Sequence, residues 1–223
     1  MFLFRQLLIL ASILVVTACL VRDARADTIT IVGADSAQAS TATVVCEFNS
    51  QTNTLTFTIT NTSAITSPGS TSTITGIGYD LPPRGNASVS GLNGFTGTQA
   101  PSLSSTFTFS DADLGNVPIS QFQNAILDFG FTTGPSGSFA GGSVNDGLLP
   151  GESASFTVTG AAFTGFTESQ ICNAILVRFQ NTPNVGSDVG SPSNVPEPSS
   201  MLLLGTALLG VGGIVGRQRS RRK

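Results

Sequence analysis

The side chains that could take part in chemistry are few in this sequence. It contains no His and three Cys, and only 10% of its residues are charged. The absence of His excludes Ser–His and Cys–His catalysis and removes the usual ligand of zinc and copper sites. What remains is a set of acidic side chains and the cysteines. The acids could act as a paired acid and base or as calcium ligands, and the cysteines could form a disulfide.

Charge is distributed unevenly along the chain. Between residues 27 and 196 the only basic residues are Arg84 and Arg178, and eleven acids give this stretch a formal charge of −9. Without Lys, Ser–Lys catalysis is excluded there. A strongly acidic stretch with two cations is unsuited to binding DNA or anionic lipid. We therefore predict no nucleic-acid partner.

Paired carboxylates are the one remaining route to hydrolysis. A glycosidase places two of them on either side of the scissile bond. The candidates are Asp80, Asp111, Asp113, Asp128 and Glu152. Sugar-cleaving grooves are typically lined by Trp and Tyr, whereas this chain has no Trp and a single Tyr, Tyr79. We predict that the protein is not an enzyme, with a carboxylate-based glycosidase as an alternative.

The same acids could also bind Ca²⁺, which prefers oxygen ligands. The segment 110–116 carries alternate acids, Asp111 and Asp113, followed by a Gly. It lacks the terminal Glu at the spacing of an EF-hand loop. Solvated turn carboxylates explain this pattern better, so we predict no metal and no cofactor, with Ca²⁺ as the alternative.

Residues 1–26 have the features of a signal peptide. Arg5 supplies a positive start, and residues 7–18 form an apolar run that is too short to favour a stable membrane span. Ala24 and Ala26 then give the small-x-small pattern that signal peptidase requires, which places cleavage after Ala26. The alternatives are a buried N-terminal helix and a lipoprotein signal in which Cys19 is lipidated.

The other end of the chain combines three features. Residues 199–216 are 18 uncharged residues, which span about 27 Å as a transmembrane helix. A basic tail over 217–223 follows and would stay in the cytoplasm; its charges are Arg217, Arg219, Arg221, Arg222 and Lys223. Immediately before the span, Pro196, Glu197 and Pro198 form an extended peptide that neither continues a helix nor joins a sheet.

This order of motif, span and basic tail over residues 196–223 resembles the PEP-CTERM sorting signal of Gram-negative bacteria. The resemblance implies recognition by a membrane-embedded exosortase at Pro196–Pro198 and removal of the tail. It implies a transient inner-membrane intermediate, followed by export to the cell surface or extracellular matrix, commonly in company with exopolysaccharide. The alternatives are an ordinary single-span anchor and a helix that pairs through its small residues.

Removal of the signal peptide would leave two cysteines, Cys46 and Cys172. An even pair in an oxidising compartment predicts a disulfide. The alternatives are two buried free thiols or an unpaired Cys46 that faces the core.

Residues 27–180 are typical of an all-β domain. Apolar residues alternate with Thr in several segments, which is the pattern of half-buried strands. In the clearest case, residues 54–60, Leu55, Phe57 and Ile59 are expected to face inward and the threonines outward. Further strands are expected at 28–31, 43–48, 73–79, 106–109, 125–131, 153–159 and 174–179. We predict an antiparallel, immunoglobulin-like β-sandwich with a linker over 181–195.

Helix is expected to be scarce. Thr167 to Gln170 could cap one short turn that leads into Ile171, and residues 117–124 could form another.

Two functions from different classes fit these features. The first is an exported, non-enzymatic component of the cell surface, matrix or biofilm. The second is a carbohydrate-binding module for the exopolysaccharide, which would be favoured by a cluster of exposed Phe or Asn around Tyr79. The carboxylate-based glycosidase is the third and least supported.

Overall fold

The structure is a computed structural model, and it describes residues 26–35, 40–65, 71–82, 92–102, 105–111, 114, 125–134, 138–183 and 185–193. Strands dominate these residues. The ten strands are β1 (Asp27–Gly33), β2 (Thr41–Asn49), β3 (Thr54–Asn61), β4 (Thr73–Tyr79), β5 (Phe95–Gln99), β6 (Thr108–Asp111), β7 (Phe129–Thr132), β8 (Ser153–Gly160), β9 (Ile175–Thr182) and β10 (Gly186–Pro192). One α-helix, α1 (Glu168–Cys172), and two short 3-10 helices, Val144–Asp146 and Ala161–Phe163, complete the described elements.

All ten strands pair antiparallel in one sheet, in the order β5-β8-β3-β2-β1-β10-β9-β4-β7-β6. The sheet doubles over, so that the half from β5 to β1 faces the half from β10 to β6. Its two edge strands, β5 and β6, come within contact distance of each other. The sheet is therefore nearly closed, and its core lies between the two halves.

Strand β3 shows how the sequence produces this arrangement. Leu55, Phe57 and Ile59 are buried, and the threonines between them are exposed or half-buried. Side chains alternate across a strand, and β-branched Thr suits its wet face. The inward and outward positions predicted for this segment are confirmed.

Aromatic rings fill the space between the two halves. Phe57 of β3 stacks on Phe156 of β8, with ring centroids 5.0 Å apart. It also contacts Tyr79 of β4 at 5.4 Å and Phe131 of β7 at 6.1 Å, both in the facing half. Each such pair contributes on the order of 0.5–1.5 kcal/mol beyond its buried area. Phe thus supplies the core volume in a chain without Trp.

Strand β4 is buried on both of its faces. One face points into the aromatic core, and the other is covered by a second apolar cluster. The buried members of this cluster are Leu114, Leu127, Phe139, Leu176 and Val189. Gly76 and Gly78 on β4 leave room for it, because a Cβ at Gly78 would lie 2.7 Å from a methyl carbon of Leu127.

The seam between β5 and β6 is held by side chains. Asp111 Oδ2 and Oδ1 accept the backbone N–H groups of Gly94 and Phe95 at 2.9 and 3.1 Å. At the other end, the Gln99 amide accepts the N–H of Phe107 at 2.7 Å and donates to the Ser105 carbonyl at 3.2 Å. The described residues of β5 and β6 form no ladder with each other. These bonds occupy edge groups that would otherwise be free to pair with another chain.

Helix α1 begins where the sequence predicts it. Thr167 is the N-cap, and its hydroxyl and the Gln170 side chain form a reciprocal capping box. The helix buries Ile171 and Cys172. The turn expected over 117–124 lies outside the described residues.

The structure contains two strands that the alternation pattern does not reveal. One is β5, and the other is β10, which pairs with both β1 and β9. The prediction of a linker over 181–195 is therefore wrong for Gly186–Pro192, which form strand β10. The Gly, Ser and Pro content of this segment suggests a linker, but Val189 is fully buried, and Gly190 packs so close to Ile31 that a Cβ would lie 2.7 Å from it.

The all-β, antiparallel prediction is confirmed. The immunoglobulin-like arrangement is not, because an immunoglobulin domain has two separate sheets whereas the described strands here pair in one continuous sheet.

We expect Gly97→Ala to destabilise the domain by about 1–3 kcal/mol, as overpacking does. A Cβ at Gly97 would lie 2.2 Å from Cδ2 of Phe109, so the ring must move out of the seam. Adding Phe109→Leu should recover part of the loss. Urea denaturation of the two single variants and the double variant measures this coupling. An unchanged midpoint for Gly97→Ala would show that the Phe109 ring does not close the seam.

Candidate functional site

Asp80 and Asp128 are brought together by strand pairing. Tyr79 of β4 and Phe129 of β7 are register partners. Asp80 follows the first and Asp128 precedes the second, so the two acids stand side by side where these strands meet. The Asp128 N–H donates to the Tyr79 carbonyl at 2.8 Å, which continues the ladder to this point.

The Asp128 carboxylate is already occupied by backbone donors. It accepts the N–H of Leu81 at 2.7 Å and the N–H of Leu92 in a short hydrogen bond. Only 3% of its surface is exposed. Asp128 therefore fastens two chain segments to the end of the sheet, and it leaves no open flank for a glycosidic bond.

Burial shifts the pKa of both carboxyl groups, and the charge of Asp128 adds to the shift of Asp80. Burial, followed by the charge of Asp128, raises the pKa of Asp80 to about 6. Burial also raises the pKa of Asp128, whereas its bonds from Leu92 and Leu81 lower it. A carboxyl group with a pKa near 6 can act as a general acid. Here the second carboxylate of the pair, Asp128, serves as a structural acceptor for the N–H groups of Leu81 and Leu92.

The other described candidate acids also accept backbone N–H groups, and Asp111 lies opposite Phe129 in the register of β6 and β7. Asp111 caps the start of β5, as described above, and Glu152 Oε2 accepts the N–H of Leu149 at 2.7 Å within a turn. Asp113 lies outside the described residues. Among the residues that the structure describes, no three acidic or cysteine side chains form a group that could hold a metal ion.

Tyr79 does not lie on a ligand-binding surface. It is fully buried and stacks on Phe129, with ring centroids 4.8 Å apart. Its hydroxyl has no hydrogen-bond partner among the described residues, and burial raises its pKa. Tyr79 therefore contributes no exposed ring to the cluster of exposed Phe or Asn that would favour a carbohydrate-binding module.

Arg178 of β9 is buried between the sheet and the second apolar cluster. Its Nη1 donates to the Phe139 carbonyl at 2.8 Å, and Nη2 lies 2.9 Å from the side-chain oxygen of Gln180 when that amide is oriented toward it. Burial lowers the pKa of Arg178. The described residues supply carbonyl oxygens to this guanidinium and no carboxylate, so its role there is to fix the Phe139 segment.

A disulfide joins Cys46 of β2 to Cys172 of α1, with a Cα–Cα distance of 6.0 Å. This is the pairing that the sequence predicts. Both cysteines are buried. Beside the bond, Glu168 Oε1 accepts the N–H of Phe48 at 3.1 Å, so the helix is attached to β2 at two places.

A cleft of about 420 Å³ opens at the seam between β5 and β6. Its lining residues are uncharged: Gly97, Thr98, Gln99, Ala100, Pro101, Ser102, Ser105, Thr106, Phe107, Phe109 and Phe131. The described lining offers no ionisable group for acid–base catalysis. The Gln99 amide, its best polar group, is engaged in closing the seam.

The residues predicted to direct export lie largely outside the described residues. These are Ala24, Pro196, Glu197 and Pro198, and the basic residues Arg217, Arg219, Arg221, Arg222 and Lys223. Ala26 is exposed immediately before β1. The described residues contain no helix with the length and hydrophobicity of a membrane span, and the predicted span 199–216 is not among them.

We expect Asp80→Asn to stabilise the protein at about pH 7.5 and to leave it unchanged near pH 3. The pKa of Asp80 is about 6 in the folded protein and 3.8 in the reference state. The folded protein thus binds more protons between these values, and the stability contributed by this group falls as pH rises through that window. The melting temperature of Asp80→Asn at pH 7.5 should rise by about 2–4 °C.

The matched control is Asp128→Asn, which keeps the shape of the side chain. It leaves the N–H of Leu81 or Leu92 without an acceptor and should cost about 1–3 kcal/mol at pH 7.5. Equal melting temperatures for wild type and Asp80→Asn at both pH values would contradict the raised pKa.

Removing the disulfide should lower the free energy of unfolding by up to about 4–5 kcal/mol, the chain-entropy value for residues 126 apart. Cys46→Ala/Cys172→Ala tests this by urea denaturation. Reductant should lower the urea concentration at the unfolding midpoint of the wild type and leave that of the double variant unchanged. A wild-type midpoint that is insensitive to reductant would show that the bond does not stabilise the fold.

Comparisons with known proteins place one part of the chain in a family. Residues 194–222 match the family model of the PEP-CTERM protein-sorting motif. No curated protein and no solved structure matches the chain. The match covers Pro196, Glu197 and Pro198 and all but the last residue of the basic tail. The chain is thus a PEP-CTERM domain-containing protein, in which this sorting motif follows the β-rich domain.

Proposed function

We propose that this protein is a non-enzymatic component of the bacterial cell surface or extracellular matrix, associated with exopolysaccharide or biofilm. The observation that carries the proposal is the sorting motif at 194–222 behind an acidic β-rich domain. The motif supports export of the chain and processing by an exosortase. The role in the matrix is our inference from that destination.

The export route follows from the order of the sequence features. Signal peptidase would cut after Ala26, immediately before β1. The uncharged segment 199–216 would then hold the chain in the inner membrane, with the basic tail in the cytoplasm. Exosortase would act near Pro198 and release the domain to the surface. Cys46 and Cys172 would be oxidised on the way, in a compartment that permits disulfides.

The positions of the acids support a non-enzymatic role. Asp111, Asp128 and Glu152 each accept backbone N–H groups, and Asp128 is buried. Their oxygens stabilise turns and strand ends, so the domain uses its carboxylates as structural acceptors. We propose that it works without a cofactor.

Carbohydrate binding is the second candidate function. The observation that favours it is the outer surface of strands β2, β3, β5 and β8, which is dominated by Thr and Ser. Uncharged hydroxyls are suited to a hydroxyl-rich polymer. This function is compatible with the first, because a matrix protein can be retained by the polysaccharide around it.

Substitution of the sorting motif tests the proposal in the producing bacterium. We expect Pro196→Ala/Pro198→Ala to abolish tail removal and to leave the protein in the inner-membrane fraction. Ser193→Ala, just outside the matched segment, is the control and should be processed normally. Fractionation and immunoblotting measure the amount and the length of the protein in the membrane, at the surface and in the medium.

Wild-type protein should be found at the surface or in the matrix as the shorter form. Wild-type protein retained in the inner membrane at full length, or processing that is unaffected in the double variant, would overturn the proposal.

A further inference from the structure

The outward positions of four neighbouring strands form a surface of regularly placed hydroxyl groups, which we call the hydroxyl face. The register of β2, β3, β8 and β5 arranges these positions in rows across the sheet. Hydroxyl groups occupy eleven of the fourteen positions. The rows are Asn49–Thr54–Thr159–Thr96, Glu47–Thr56–Thr157–Thr98, Val45–Thr58–Ser155 and Thr43–Thr60–Ser153. All fourteen side chains are exposed or half-buried.

Cross-strand pairs orient several of these hydroxyls. Thr58 and Ser155 lie 2.7 Å apart, as do Thr60 and Ser153. A hydroxyl has one donor and two acceptor sites, so each paired group keeps hydrogen-bonding capacity for a ligand. Because the pairs already restrict the side chains, less conformational entropy is lost when a ligand binds.

The spacing of the hydroxyl face is repetitive in two directions. Neighbouring strands are about 4.8 Å apart, and alternate residues along a strand are about 6.7 Å apart. Each Thr presents a methyl group beside its hydroxyl. A pyranose ring is likewise amphipathic, with hydroxyls at its rim and C–H groups on its faces. A repeating polymer of such rings can therefore make the same weak contact many times.

The charge of the domain and of its hydroxyl face favours a neutral polymer over an anionic one. Glu47 is the one acidic or basic residue among the fourteen positions, although residues 27–196 carry a formal charge of −9. The face has no cation for an anionic polymer, whose charges the acidic domain would repel. A neutral polymer meets no such repulsion and has no need of a counter-charge.

We propose that the hydroxyl face is the binding surface for a neutral polysaccharide. The proposal rests on the proposed delivery of the protein to the matrix, and it names the partner that retains the protein there. Each contact is weak because water competes for the same hydroxyls. Affinity arises from the number of contacts that one polymer chain makes along the rows.

A second copy of the chain fits this surface less well. Val45 is the one large hydrophobic side chain on the hydroxyl face, and it is 44% exposed. Stable interfaces between copies are built around an apolar and aromatic centre, which this face lacks. Two copies would also bring two acidic domains together.

Co-sedimentation of the full-length protein with insoluble polymers tests the proposal. The probes are the neutral fraction of the polysaccharide that the producing bacterium secretes and cellulose, with calcium alginate as the anionic comparison. Thr56→Val/Thr157→Val removes two register-paired hydroxyls and keeps the β-branched shape, and neither hydroxyl has a hydrogen bond within the described residues that its loss would break. The matched control is Thr106→Val/Thr108→Val, at exposed positions outside the hydroxyl face.

We expect the wild type and the Thr106/Thr108 control to sediment with a neutral polymer and not with alginate. The Thr56/Thr157 variant should bind at least fivefold more weakly, with an unchanged melting temperature. Equal binding by this variant, or binding of the wild type to alginate alone, would overturn the proposal. So would absence of binding to both neutral polymers, or a wild-type dimer in sedimentation velocity that the variant dissociates.

Localisation distinguishes failure of this proposal from failure of the proposed function. If the protein reaches the matrix and the Thr56/Thr157 variant still binds normally, the matrix role stands and the hydroxyl face is not its binding surface. If the wild type never leaves the inner membrane, the matrix role fails whatever the binding assay shows.

Discussion

The Phe57 ring lies where the two halves of the folded sheet meet. It stacks on Phe156 within its own half and contacts Tyr79 and Phe131 across the core. A sheet of ten strands that doubles over leaves two edges, and here β5 and β6 meet without a backbone ladder between them. Burial of these rings therefore holds the halves together, while Asp111 and Gln99 fasten the seam at its ends.

The same alternation that sends rings inward sends Thr and Ser outward. Every inward Phe of β3 and β8 has hydroxyl-bearing neighbours on the opposite face, so the core and the hydroxyl face are two consequences of one pattern. Of the acids, Glu47 lies on that face, whereas Asp111, Asp128 and Glu152 accept backbone N–H groups at turns and strand ends. The result is a domain with an apolar interior and a largely uncharged outer face on one half of the sheet.

Strands with clear alternation, such as β3 and β8, could be predicted from the sequence because burial on one face leaves a period of two. Strand β10 could not, because its Gly and Ser residues pack through close backbone approach, as Gly190 does against Ile31. The disulfide followed from counting cysteines in an exported chain. The Asp80–Asp128 pair depends on β4 lying beside β7, a long-range pairing that no local pattern encodes. The burial of Tyr79 likewise depends on the facing half of the sheet, whose Phe57 packs against its ring.

The most direct test is the intact mass of the protein recovered from the surface or medium of the bacterium that makes it, with and without reductant. We expect a chain that begins at Asp27, ends near Pro198 and gains the mass of two hydrogens on reduction. A chain that still ends at Lys223, or a mass that reductant does not change, would contradict an exported, processed and disulfide-bonded domain.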